Sequence, residues 1–212
     1  VREHLRLENT PRTVAEEACD IEINRLKEPV GKQDQYISAF GGIQALDIAK
    51  DGNVKVIPVD ITKSSMNNFL SNIHVYCLNI RRSASDILKE QSQMKPKVEG
   101  LMSRIKEMGY ETLEILENEN FDRYGQLLDE YWGLKKQLSN KVSVSAVDDV
   151  YEEIKKNFGV LGGKIIGAGG GGFFLVYANK NVPSLDRYMH QLGMTKLQFG
   201  VDHDGSKILG NF

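Results

Sequence analysis

The sequence predicts an α+β fold, and three observations carry that prediction. Strand-like and helix-like segments mix without a regular βαβ repeat, which argues against a doubly wound parallel sheet. A middle stretch from Ser83 to Asn157 is rich in helix formers and holds one proline, Pro96. Five of the chain's 20 glycines crowd between Gly167 and Gly172, with apolar runs on both sides. The chain therefore reads as a mixed opening, a helical middle and a glycine-rich mixed end.

The elements follow in order. Thr10 can cap a first helix with Pro11 at its first position, and Val14, Ala18, Ile21 and Arg25 recur at helical spacing until about Lys27, before Pro29 and Gly31. In GKQDQYISAFGG a glycine turn precedes a short helix that Gly41 and Gly42 stop. Residues 43–49 and 54–59 read as strands around an Asp51-Gly52-Asn53 turn, a hairpin signal. HVYCLNI, residues 74–80, is a third strand. Residues 83 to about 108 are helical in period, interrupted before Pro96. Residues 121–138 carry Leu127, Leu128, Tyr131, Leu134 and Leu138 on one broad face, and 145–158 carry Val147, Val150, Tyr151 and Ile154. Strands at 164–166 and 173–177 flank the glycine loop, then a helix at 184–192 and a strand near 196–201 finish the chain.

Composition bounds the function. With 212 residues, the chain is one large domain or one domain plus part of a second. Hydrophobic residues at 41% and charged residues at 26% allow a sizeable core and exclude a disordered chain. Lys and Arg total 27 against 29 Asp and Glu, a net charge of -2 that argues against a nucleic-acid partner. Two cysteines, Cys19 and Cys77, are too few for a disulfide framework and fit a reducing, cytoplasmic setting. No apolar run approaches the roughly 20 residues that span a membrane. The first residue is Val, so a processed chain or a fragment is expected.

Several residues could carry chemistry. In KIIGAGGGGFFLVY, Gly167, Ala168, Gly169, Gly170, Gly171 and Gly172 join two apolar strands. Glycine costs roughly 1 kcal/mol relative to Ala in a regular element, and a close approach of backbone or phosphate would explain that cost. The bland alternative is a flexible hairpin loop. No Lys-Ser or Lys-Thr follows, so this is no Walker A loop, and a strand follows where a dinucleotide fingerprint requires a helix. Asp34 sits near a helix start, where the dipole favours an anion and where an ordinary cap also sits. Lys32 is two residues away, a cation beside a base. Glu22 shares a helix face with Ala15 and Ala18, at a core edge or aimed into a site. Arg81 and Arg82 follow a strand and precede a helix, a candidate anion site or two exposed arginines. Lys135 and Lys136 read first as surface lysines of an amphipathic helix. The four histidines lack metal-ligand spacing.

In combination, GKQDQYISAFGG, RRSASDILKEQ and GGKIIGAGGGGFFLVY, in this order and spacing, resemble the GHMP small-molecule kinases, and among them the D-glycero-D-manno-heptose 7-phosphate kinase branch. The likeness runs from about Thr13 to Gly205. It implies a two-domain fold, with residues 1–65 closing the amino-terminal domain and 66–212 forming a ferredoxin-like carboxyl-terminal domain with added helices. The family's amino-terminal motif and its Gly-Leu-Gly-Ser-Ser phosphate loop are not in this sequence, and Leu78-Asn79 stands where relatives have Thr-Gly. The resemblance implies that Asp34 is the catalytic carboxylate, that Glu22 helps to hold Mg²⁺, and that residues 167–172 border the active site beside ATP. Lys32, Gln35, Arg82 and Lys135 are the expected acceptor-binding residues. It further implies phosphoryl transfer from ATP to the anomeric hydroxyl of a heptose 7-phosphate, in a cytoplasmic enzyme that admits a homodimer. A kinase of another sugar, such as fucose, and a non-catalytic fragment are the alternatives.

Overall fold

A computed structural model describes residues 10–78, 98–138, 145–166 and 172–207. Two compact units emerge. The first ends at Val59 and takes in the described residues from Gly200 onward, and the second runs from Asp60 to Phe199. This division differs from the expected one at residue 65, chiefly because the final segment groups with the first unit.

In unit 1, α1 (Pro11–Cys19) starts on a capping box in which Thr10 and Thr13 bond reciprocally, with proline in the first turn. It continues into a π-helical turn, Asp20–Arg25, where the Leu26 amide reaches back to the Ile21 carbonyl at 2.9 Å. Next come α2 (Gln33–Phe40), β1 (Gln44–Ile48) and β2 (Val54–Pro58), the strands forming the expected antiparallel hairpin with Ile48 opposite Val54. Ala15, Cys19, Tyr36, Ala39 and Val54 make its core, and the Arg12 guanidinium donates to the Val54 carbonyl at 2.9 Å.

The final segment closes this unit. Gly42 N–H donates to the Asp202 carbonyl at 2.7 Å, and Ser206 donates through its hydroxyl to the Ser38 carbonyl at 3.1 Å. Gly41 (φ +69) and Gly205 (φ +64) lie face to face, each without room for a Cβ.

Unit 2 holds α3 (Lys63–Ser71), β3 (Ile73–Cys77), α4 (Val98–Glu117), α5 (Phe121–Leu138), α6 (Ser145–Phe158), β4 (Val160–Ile166), β5 (Phe173–Ala178), α7 (Val182–Gln191) and β6 (Thr195–Leu197). The sheet order is β4-β5-β3-β6, every neighbouring pair antiparallel. That order, with α6 leading into β4 and α7 into β6, is the ferredoxin-like arrangement the sequence led us to expect, and α4 and α5 are its added helices. One sheet face presents Tyr76, Ile165, Phe174, Val176 and Ala178 to Val147, Tyr151 and Ile154 of α6 and to Leu185 and Met189 of α7. Each such fully buried large side chain contributes about 1.5–3 kcal/mol. On the other face α5 meets β4 glycine to glycine. A Cβ on Gly162 would strike the Gly125 carbonyl and the Asp129 amide, and Tyr124 packs on Tyr177 at 6.1 Å.

The structure adjusts several boundaries. β4 begins at Val160, so Gly162 and Gly163 lie inside the strand rather than ahead of it. Helix α3, capped by Thr62, was not read from the sequence, and α4 runs on to Glu117, past the expected end near 108. The strand expected at 74–80 is Ile73–Cys77. The start of the helix expected from Ser83 lies outside the described residues.

Polar ties fix the helices to the sheet. Tyr76 donates to Asp186 at 2.6 Å and Lys196 pairs with the other Asp186 oxygen at 2.8 Å. Tyr151 and Lys155 both reach Asp129 of α5. His74 is buried with Nε2 3.0 Å from the Ala178 carbonyl, so Nε2 carries the proton. Burial lowers its pKa below the ordinary 6.5. The folded state therefore keeps His74 neutral while the unfolded chain takes up a proton near pH 6.5, and stability falls as the pH drops through that value. Replacing His74 with Gln should flatten the decline of the urea midpoint between about pH 7 and 5.5. An unchanged slope would contradict this account.

Candidate active site

Asp34 stands in the first turn of α2, whose cap position is Lys32, with no side-chain capping bond. Asp34 is thus not the helix cap. It is exposed, has no hydrogen-bond partner among the described residues, and lines a cavity of about 390 Å³ with Gln33, Ile37, Gln44, Leu46 and Ile48. Positions 44, 46 and 48 share a face of β1 because strand side chains alternate. The result is a carboxylate at the mouth of a pocket with a largely apolar wall, close to a positive helix end.

Gln35, the next residue, points inward. It is buried, donates from Nε2 to Glu22 at 2.7 Å, and leaves Oε1 buried with no partner. Glu22 lies in the π turn, a feature that often accompanies functional positions. The amide of Gln35 fixes one Glu22 carboxylate oxygen. Lys32 extends to the hairpin, its ammonium donating to the Gly52 carbonyl at 2.5 Å. So Lys32, Asp34, Gln35 and Glu22 all belong to unit 1, with Lys32 tied to the hairpin turn and Gln35 bonded to Glu22.

Gln44 was not singled out from the sequence. Its Nε2 donates to the Gly41 carbonyl at 2.9 Å, and its Oε1 is buried without a partner beside the Asp34 cavity. Strand alternation groups it with Leu46 and Ile48, but alternation alone does not say which face meets α2.

Lys135 is on α5 in unit 2, half-buried, and burial lowers its pKa. Arg81, Arg82 and residues 167–171 lie outside the described residues, while Gly172 (φ +90) precedes β5 and its carbonyl accepts from the Leu78 amide at 2.9 Å. Among the described residues no group of three or more His, Cys, Asp or Glu could hold a metal ion, and no helix is long and apolar enough to cross a membrane.

Comparison with known proteins agrees with this architecture. Residues 112–188, from the end of α4 into α7, match the family described as GHMP kinases C terminal. Residues 112–188 thus carry the carboxyl-terminal domain of the GHMP kinases, as the resemblance implied for this part of the chain. A curated relative, the D-glycero-alpha-D-manno-heptose 7-phosphate kinase of Campylobacter jejuni, is 30% identical over 168 residues, which is 78% of this chain and 49% of that protein. This chain thus spans about half the length of that relative. A D-glycero-D-manno-heptose 1-phosphate kinase from Bacteriodes thetaiotaomicron superposes with a TM-score of 0.72 at 22% identity, covering 99% of this chain and 59% of that one. Lactococcus lactis galactokinase, complexed with galactose, gives 0.63 at 16% identity over 95% of this chain and 61% of its own. At those identities the structures establish the shared fold.

The clamp behind α2 can be tested directly. A Cβ on Gly205 would strike the Ala39 carbonyl and Phe40 backbone at a positive φ. Gly205→Ala should cost about 1–3 kcal/mol and speed hydrogen exchange of the α2 amides, leaving those of α7 unchanged. Equal exchange in both proteins would show that the segment does not hold α2.

Proposed function

We propose that the chain is part of an ATP-dependent sugar kinase in which Asp34 takes or orients the proton of the attacking sugar hydroxyl. The observation that carries this reading is the Asp34 carboxylate, free of internal hydrogen bonds among the described residues, at the edge of a cavity large enough for a sugar. The acceptor we propose is a heptose 7-phosphate, phosphorylated at the anomeric hydroxyl to the 1,7-bisphosphate, in keeping with the curated relative. The hydroxyl loses its proton to Asp34 as its oxygen bonds to the γ-phosphorus, and ADP leaves with the bridging oxygen. Such transfer depends mainly on positioning and on neutralising charge.

The apolar wall of Ile37, Leu46 and Ile48 suits the C–H face of a sugar, and the orphaned oxygen of Gln44, a residue that lines the cavity, suits a hydroxyl donor. Lys32, with one donor on Gly52, would stand beside the base. Arg82 and Lys135 complete the proposed acceptor-binding set, and residues 167–172 would lie beside the phosphates of ATP.

The family implies Mg²⁺, and Glu22 fits a share in holding it. One of its oxygens is oriented by Gln35 and the other is free of hydrogen bonds among the described residues. Mg²⁺ commonly takes one or two carboxylates, with phosphate and water oxygens completing its shell. The ion would neutralise phosphate charge.

In the complete enzyme, Asp34→Asn should lower kcat by at least about 100-fold with an unchanged melting temperature. Near-normal turnover would remove Asp34 from the mechanism. A panel of acceptors fixes the substrate: turnover confined to heptose 7-phosphate supports this reading, and turnover of free fucose or galactose rejects it. Glu22→Gln should raise the Mg²⁺ concentration for half-maximal rate several-fold, and a superimposable Mg²⁺ titration would reject that role.

A further inference from the structure

Unit 2 contains a cavity of about 250 Å³ that lies between α4, α5 and β4. Met108 and Leu127 give it apolar walls, and Tyr124, Tyr131 and Lys164 give it polar ones. Lys164 extends from β4 with its ammonium 4.9 Å from the centre of the Tyr131 ring. Lys135 does not line the cavity itself but lies about one turn of α5 beyond Tyr131, which does.

These two lysines differ from their neighbours. Five lysines among the described residues of unit 2 are half-buried. Three have a carboxylate partner: Lys136 with Asp148 at 3.1 Å, Lys155 with Asp129 at 2.8 Å, and Lys196 with Asp186 at 2.8 Å. Lys135 and Lys164 have none among the described residues. Burial lowers the pKa of each, and the charge of Lys135 lowers that of Lys164 further. An ammonium group withdrawn from water without a counter-ion disfavours its own charged form, and at Lys164 the charge of Lys135 adds to that effect. The phenols of Tyr124 and Tyr131 likewise have no hydrogen-bond partner among the described residues. The polar side of the cavity therefore offers the donors of Lys164, Tyr124 and Tyr131, and no carboxylate among the described residues lines it to oppose an anion.

We propose that Lys164 and Lys135 form an anion site for the phosphate of a small phosphomonoester, with its carbon skeleton against the apolar walls. A phosphomonoester carries about −1.5 to −2 charges at pH 7 and so matches two cations, whereas a carboxylate neutralises one. Lys164 and Lys135 gain from the bound anion the partner that Lys136, Lys155 and Lys196 already have. The site extends the acceptor-binding role proposed for Lys135, but it stands on binding alone, and every residue it invokes belongs to unit 2. Loss of kinase activity and loss of anion binding are thus separate readouts. Two sources share this chemistry: the acceptor's own phosphate and a separate phosphorylated metabolite.

Isothermal titration of the complete protein with glucose 6-phosphate, inorganic phosphate and free glucose tests the proposal. Saturable binding of glucose 6-phosphate and phosphate, without binding of glucose, is expected. Lys164→Gln and Lys135→Gln should each weaken it at least about tenfold. Lys164→Met should keep or raise the melting temperature, because it removes an unpaired buried charge. A raised KM for a phosphorylated acceptor in Lys164→Gln assigns the site to the acceptor, and an unchanged KM with lost binding assigns it to a separate metabolite. Undetectable glucose 6-phosphate binding to the wild type, binding retained in both Gln variants, or a lowered melting temperature for Lys164→Met would each overturn the proposal. The last would mean that the ammonium already serves a carboxylate of the chain.

Discussion

A carboxylate that acts on a substrate must be held in place without being consumed by the protein's own hydrogen bonds. Helix α2 meets that constraint by being anchored at its far end. Gly41 and Gly205 bring two stretches of main chain together, and Ser206 and Asp202 add hydrogen bonds around the end of the helix. The first turn is left unburdened, and Asp34 keeps its oxygens for the cavity. Beside it, Gln35 turns inward and spends its amide on Glu22. Neighbouring residues on one turn thus divide the work, one facing solvent and the other bracing a second carboxylate.

Unit 2 solves a different problem. Its sheet must pack helices on both faces, and α5 comes so close to β4 that neither Gly125 nor Gly162 has space for a side chain. The close approach also sets Tyr124 and Tyr131 of α5 near Lys164 of β4. Buried ammonium groups without partners are costly. They recur where a protein keeps capacity for a ligand, and the paired lysines elsewhere in the unit show what full internal neutralisation looks like.

Much of this was legible in the sequence, for identifiable reasons. The Thr10-Pro11 start, the Asp51-Gly52-Asn53 hairpin and the periodic faces of α5 and α6 are local signals, and the structure places each where its pattern put it. Helix α3 escaped because its apolar positions are few and its Thr62 cap stands alone as a signal. Gly162 and Gly163 read as a break before a strand, but they are glycine because a helix and a side-chain ring crowd the strand there, a tertiary demand with no local mark. Asp34 and Glu22 stood out through motif resemblance. Gln44 and Lys164 did not, because their significance lies in what remains unpaired around them, and that appears only when the partners of every neighbour are known.

The return of the chain to unit 1 has a consequence for biosynthesis. Residues that clamp α2 emerge from the ribosome some 160 positions after the helix itself, as Ser206 against Ser38 shows with a separation of 168. Until then α2 lacks its rear support, while the described strands of unit 2 are complete by Leu197. The order of synthesis therefore delays completion of unit 1 until unit 2 can already be folded. Asp34 is in this way left on an unsupported helix until residues 60–197 have been made.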